Sequence, residues 1–208
     1  MTFSPCGIAV ISMMSTQGYT TIIPGAITTN DSEGNQTTYI GAREKGGGMV
    51  QTNNSEGNLV SYIGCTSDGD NGMVQTNNSE GNQITYMGSS NAGSGLITAS
   101  DLKGNPITFM ASDSKGNGTI STNDSKGNEA TFIGTGSGGG GIITTNSSKG
   151  KMITYIGSDS DGSNGMMTTR NSKGNMVTYI GSEKDNEDGL IQLYDRYGDV
   201  GWNKTGKR

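Results

Sequence analysis

One glycine recurs along this chain at almost constant intervals. It stands at Gly34, Gly57, Gly81, Gly104, Gly127, Gly150, Gly174 and Gly198, with spacings of 23 or 24 residues. A period of that length marks a tandem array of supersecondary units that share a core with their neighbours. Other columns keep step with it. Seven residues on stands a small residue (Gly41, Gly64, Gly88, Ala111, Gly134, Gly157, Gly181), and five residues on an aromatic (Tyr39, Tyr62, Tyr86, Phe109, Phe132, Tyr155, Tyr179). Nine residues before it comes a third glycine column, from Gly25 and Gly48 to Gly189, and two residues beyond that an apolar one, including Ile27, Val50, Val74 and Ile191.

Each unit reads as strand, turn, strand, loop. Met49-Val-Gln-Thr-Asn53 is a β-rich run, Asn54-Ser-Glu-Gly57 a turn, and Asn58-Leu-Val-Ser-Tyr-Ile63 a second run. Asn at the first turn position bonds the backbone two residues on, Ser and Glu or Lys suit a type I turn, and glycine supplies the left-handed residue that closes the hairpin. No segment carries a helical period. The fold class expected is therefore all-β: eight antiparallel β-hairpin units of 23–24 residues in an elongated stack. A parallel β-solenoid, with one coil per repeat, is the alternative. The turn predicts a register in which Val50 faces Tyr62, Thr52 faces Val60, Met49 faces Ile63, Gln51 faces Ser61 and Gly48 faces Gly64. Residues 1–24 read as a degenerate cap, 25–188 as seven hairpin repeats, and 189–208 as a capping repeat that ends in Val200-Gly-Trp202.

Composition limits what such an array does. Glycine numbers 36 of 208 residues, apolar residues make up 29%, and net charge is −5 without a basic patch, so nucleic acid is not an expected partner. Histidine is absent, which removes the commonest general base. No nucleophile has a plausible base, and eight similar surfaces do not make one active site; the expectation is no enzyme and no cofactor. No apolar run reaches the length of a membrane span. Cys6 and Cys65 are either one bridge or two unpaired thiols.

Candidate sites lie in the loops. Asp68 and Asp70, and Asp159, Asp161 and Asn164, alternate acidic and amide residues around a glycine like part of a calcium loop, but the terminal glutamate of such a loop is missing; solvated turn residues are the competing reading. A threonine column (Thr38, Thr85, Thr108, Thr131, Thr154, Thr178, with Ser61 in one place) suggests an ice-binding ladder, or simply β-propensity and cross-strand bonding. The aromatic column suggests sugar stacking or core. Sequons such as Asn53-Asn-Ser55 follow from the turn motif itself. The residue before the turn glycine is Glu33, Glu56 and Glu80 early and Lys103, Lys126, Lys149 and Lys173 later, so the tips change sign along the array.

A lone hairpin of this kind does not hold itself together. About five apolar side chains per unit contribute on the order of 10 kcal/mol on full burial, against roughly 1–2 kcal/mol per residue of backbone ordering. Hairpins must share their apolar surface with each other and with other chains, in a homo-oligomer such as a trimeric β-prism or in a filament. The unit Gly189-Leu-Ile-Gln-Leu-Tyr-Asp-Arg-Tyr-Gly198 resembles strand–turn repeats of large bacterial surface and secreted proteins, among them tyrosine–aspartate repeat proteins, adhesin shafts and phage tail fibres. That resemblance implies an elongated, extracellular or cell-surface, non-enzymatic role. The function expected is a structural subunit of a self-assembling fibre, filament, sheath or stalk; the alternative is a binding module whose loops meet a surface glycan, calcium or ice.

Overall fold

A computed structural model describes residues 2–3, 9–42, 47–66, 71–90, 93–113, 115–183 and 187–206. It contains nineteen strands and no helix among those residues, and every pairing given below is antiparallel. The tandem-hairpin architecture is therefore the fold, and the parallel solenoid is not. The chain divides into two compact units, Met1–Pro106 and Ile107–Arg208. The boundaries expected at 24 and 188 fall inside these units.

Within each unit the sheet is a meander. In the first, strand Gly48–Asn53 pairs with Leu59–Cys65 across the expected turn, and Leu59–Cys65 pairs in turn with Gly72–Asn77. In the second, Gly141–Asn146, Met152–Ser158 and Gly165–Arg170 follow the same pattern. The connecting segments are not open loops between separate hairpins. They too close antiparallel pairs, so that Cys65 opposes Gly72 and Ser158 opposes Gly165. The base of one hairpin is thus paired to the next repeat.

The turns follow the sequence closely. The Gly57 amide donates to the Asn54 carbonyl at 3.0 Å, the Asn54 amide donates to the Asn58 carbonyl at 2.9 Å, and Gly57 has φ +82°. A left-handed residue there is nearly cost-free only for glycine. The Asn54 side-chain oxygen accepts from the amides of Glu56 and Asn58, at 3.1 and 2.9 Å. Its amide group goes further and donates to the Ser79 carbonyl in the next turn, as does that of Asn58. Asn78 and Asn82 reach Leu102 in the same way, and Asn171 and Asn175 reach Arg196. These bonds lace the turns that begin with asparagine to the turn after them.

The register departs from expectation by one residue. Asn53 opposes Leu59, as the turn dictates, but an irregularity between Thr52 and Asn53 leaves Val60 as an extra residue. Beyond it Thr52 opposes Ser61, Gln51 opposes Tyr62, Val50 opposes Ile63 and Met49 opposes Gly64. The same shift occurs at Thr122/Asn123, Thr145/Asn146 and Thr169/Arg170. The physical reason lies at the other edge of the strand, where Ile63 opposes Val74. With the expected register on one edge and this one on the other, each repeat would slide by one residue against the last. Equivalent side chains would then swap faces from repeat to repeat. The bulge removes that slip.

The lacing of turns is testable. Asn54→Ala removes two acceptor bonds and one donor bond and should cost about 1–2 kcal/mol in urea unfolding followed by circular dichroism. Asn54→Asp keeps the acceptor, loses only the bond to Ser79, and should cost less than half as much.

Candidate functional site

With the register corrected, each face of the sheet acquires a distinct chemistry. Paired residues share a face, so Ile40, Val50, Ile63, Val74, Met87 and Ile97 form an unbroken row in the first unit, reached from Ile11 through Ile22 and Ile27. The second unit carries its own row from Met110 through Ile120, Ile133, Ile143, Ile156, Met167 and Ile180 to Ile191. On the last strand, Val200–Thr205, the place in the row is taken by Lys204.

This row is not covered. Val50 is 38% exposed, Ile156 43% and Ile63 55%. Among the described residues Tyr62 is the one buried apolar side chain, and no large side chain is wholly enclosed.

The threonine column lies two residues along, on the same face. Its hydroxyls pair across strands: Thr52 with Ser61 at 2.6 Å, Thr76 with Thr85 at 2.7 Å, Thr122 with Thr131 at 2.7 Å and Thr169 with Thr178 at 2.6 Å. On the far side of the isoleucine row stand small residues, among them Gly48, Cys65, Gly72 and Ser89. The face is thus three parallel rows: small, branched apolar, and hydroxyl.

The opposite face belongs to the aromatics. Tyr62 lies between Gln51 and Gln75, not against Val50 as expected. Its hydroxyl donates to the Cys65 carbonyl at 2.6 Å, and Tyr39, Tyr86 and Tyr179 make the same bond three residues on, at 2.9, 2.6 and 2.8 Å. Tyr155 donates to Ser158 likewise. Burial, and secondarily the charge of Asp159, push the Tyr155 and Tyr179 hydroxyls up, which favours their remaining donors. Each ring lies back over the small residue two places along: a Cβ on Gly64 would stand 2.8 Å from the Tyr62 hydroxyl and 2.8 Å from the Gly48 carbonyl oxygen. This explains the second glycine column. The ring packs this way without a hydroxyl too, since a Cβ on Gly134 would stand 2.6 Å from the Phe132 ring; the alanine at Ala111, after Phe109, has no structural explanation.

The acidic loop residues divide. Asp68 and Asp70 lie outside the described residues, as does Cys6. Asp159, Asp161 and Asn164 meet in a single turn. Asp159 accepts from the Ser163 amide and, through its other oxygen, from the Asn164 side chain, both at 3.0 Å; Asp161 accepts from the Ser163 amide and hydroxyl at 3.0 and 2.5 Å. A hydrogen bond with Asp161 and then that from Asn164 hold the Asp159 carboxyl well below the usual carboxylate range. Their oxygens thus serve the turn itself. The tip residues Glu33, Glu56, Glu80, Lys103, Lys126, Lys149 and Lys173 are all exposed.

Where the turn begins with aspartate, its carboxylate replaces the asparagine oxygen. Asp101, Asp113 and Asp124 are held below the ordinary range, first by the side-chain amides of Asn105, Asn117 and Asn128 and then by backbone amides.

No protein-family model matches the chain, and no curated protein does. Among solved structures it is similar to a protein of unknown function from Bacteroides caccae, at 10% identity over 92% of this chain and 79% of that one, with a TM-score of 0.20. It is also similar to a porin-like protein from Bacteroides uniformis, at 12% identity over 94% and 90%, with a TM-score of 0.22. Likenesses of this size carry no property over to the chain.

Two outcomes test the site's construction. Gly64→Ala should destabilise the protein by about 1–3 kcal/mol through overpacking, and Tyr62→Phe by about 0.5–1.5 kcal/mol. The double variant should cost less than the sum, because a phenyl ring free of the Cys65 bond can tilt away from the methyl group; a double-mutant cycle in urea measures the coupling. Second, carboxyls held below their unfolded value stabilise the fold above about pH 4, and that stability is lost as pH falls through the lower folded values. The melting temperature should therefore drop on acidification. It should drop less in Asp101→Asn/Asp124→Asn, since Asn54, Asn78 and Asn171 already fill that turn position elsewhere.

Proposed function

We propose that this chain is a self-associating structural protein, the subunit of a fibre, filament, sheath or stalk at the cell surface or outside the cell. The observation that supports this reading is the mismatch between apolar surface and burial. The seventeen strands from Ala9–Ser15 to Gly189–Tyr194 each contribute to an apolar row, yet the row stands about two-fifths exposed and, among the described residues, almost nothing else is enclosed. Fully burying one such side chain contributes roughly 1.5–3 kcal/mol. Eight or nine of them left half-covered forgo several kcal/mol, a large share of the 5–15 kcal/mol that stabilises an ordinary domain. A contiguous exposed apolar surface of this kind marks an interaction site. The near-equivalence of the repeats favours a structural role over catalysis, since acid, base and nucleophile converge in one place whereas this surface recurs in every unit. The extracellular setting rests on the resemblance of the Tyr194–Gly198 repeat to those of surface proteins.

Purified protein should form concentration-dependent assemblies in light scattering, and ordered rods or filaments in negative-stain images. A folded monomer that stays dispersed at every concentration, and binds glycans on an array, would replace this reading with that of a binding module.

A further inference from the structure

We infer that the isoleucine face of one copy packs against the isoleucine face of a second copy, as a two-layer sheet sandwich; this rests on the self-association proposed above. The three rows of this face carry no charged side chain among the described residues until Lys204, which stands at the row's end on the last strand. Such a surface offers nothing to a charged headgroup or an acidic or basic segment. It does offer a lattice that only another regular sheet matches. Neighbouring strands lie about 4.8 Å apart, so a second copy presents the same rows at the same interval, and sheets stack face to face about 10 Å apart at roughly 30°.

The size is adequate. In the first unit the row runs over nine strands, from Ala9–Ser15 to Gly95–Ser100. At about 4.8 Å per strand and a strand length near 20 Å, the face measures on the order of 700–800 Å², against about 800 Å² per partner in a standard stable interface.

The polar row also tolerates enclosure. Buried hydroxyls are costly when orphaned, but in the Thr52–Ser61, Thr76–Thr85, Thr122–Thr131 and Thr169–Thr178 pairs each oxygen already shares a hydrogen bond within the sheet. The opposite face differs: it carries Gln51 and Gln75, whose side-chain amides bond Asn53 and Asn77 beside them.

Methionines on the two faces report on this directly. Met87 and Met110 stand in the isoleucine row, whereas Met49, Met73 and Met166 oppose glycines on the other face. Dilute peroxide followed by mass spectrometry of peptides, on the full-length protein below and above its assembly concentration, should show at least fivefold slower oxidation of Met87 and Met110 on assembly, with Met73 little changed. Ile63→Lys/Ile156→Lys should weaken association at least tenfold in sedimentation velocity while keeping the β-sheet circular dichroism; Gln75→Lys, on the other face, should leave it unchanged. If assemblies form but Met87 and Met110 are no better protected than Met73, the face assignment is overturned and the structural function stands. Association that the folded double-lysine variant retains overturns it equally. If that variant does not fold, the methionine protection pattern of the native protein decides. If the native protein does not associate at all, both proposals fall.

Discussion

Every strand in the interior of each unit is hydrogen-bonded along both edges, and the two registers must agree. That agreement is the condition on which the remaining architecture depends. The tip turn alone would place Val50 opposite Tyr62, while the connecting turn places Ile63 opposite Val74. The extra residue at Val60 reconciles them, and only then do isoleucines fall into one row, threonines into another and tyrosines onto the reverse face. A β-bulge is usually described as a local kink. Here it sets which side chains of the whole unit look in the same direction.

Once the faces are set, local hydrogen bonds do the work that a packed core does in a globular domain. Asparagine side chains tie a turn to itself and to the next one, tyrosine hydroxyls clamp the strand ends, and threonine pairs bridge neighbouring strands. Individually such bonds are modest, around 1 kcal/mol. Repetition makes them a system, with each repeat stabilised mainly by its neighbours, as in other one-dimensional arrays.

Much of this was legible in the residues. The turn glycines, the Asn and Asp side-chain bonds and the antiparallel hairpin followed from Asn54-Ser-Glu-Gly57 and its equivalents, because turn chemistry is local. Register was not legible from one edge, because it is a property of a strand between two neighbours. The nature of the connectors was missed although a signal existed: Asp113-Ser-Lys-Gly-Asn117 repeats the motif of Asp124-Ser-Lys-Gly-Asn128, and the Gly116 amide donates to Asp113 as Gly127 does to Asp124. Reading the first as a loop hid the second turn of the repeat. The aromatic column was expected against the Val/Ile column; its ring instead covers the small residue two places along, a relation within one strand that cross-strand pairing could not reveal. Of the acidic loop residues, Asp159, Asp161 and Asn164 do come together, but as the internal bonding of a turn.

The agreement of the two registers has a genetic corollary. A repeat enters the sheet through one tip turn and leaves through one connector, and variation between 23 and 24 residues leaves the rows aligned. Recombination that adds or removes one whole period would therefore lengthen or shorten the sheet by two strands without disturbing any other module. A frame-preserving change of half a period would join two strands of the same kind through one turn, so that isoleucine meets threonine there and the rows no longer line up. Alleles of such a gene can differ freely in copy number, but only in whole steps.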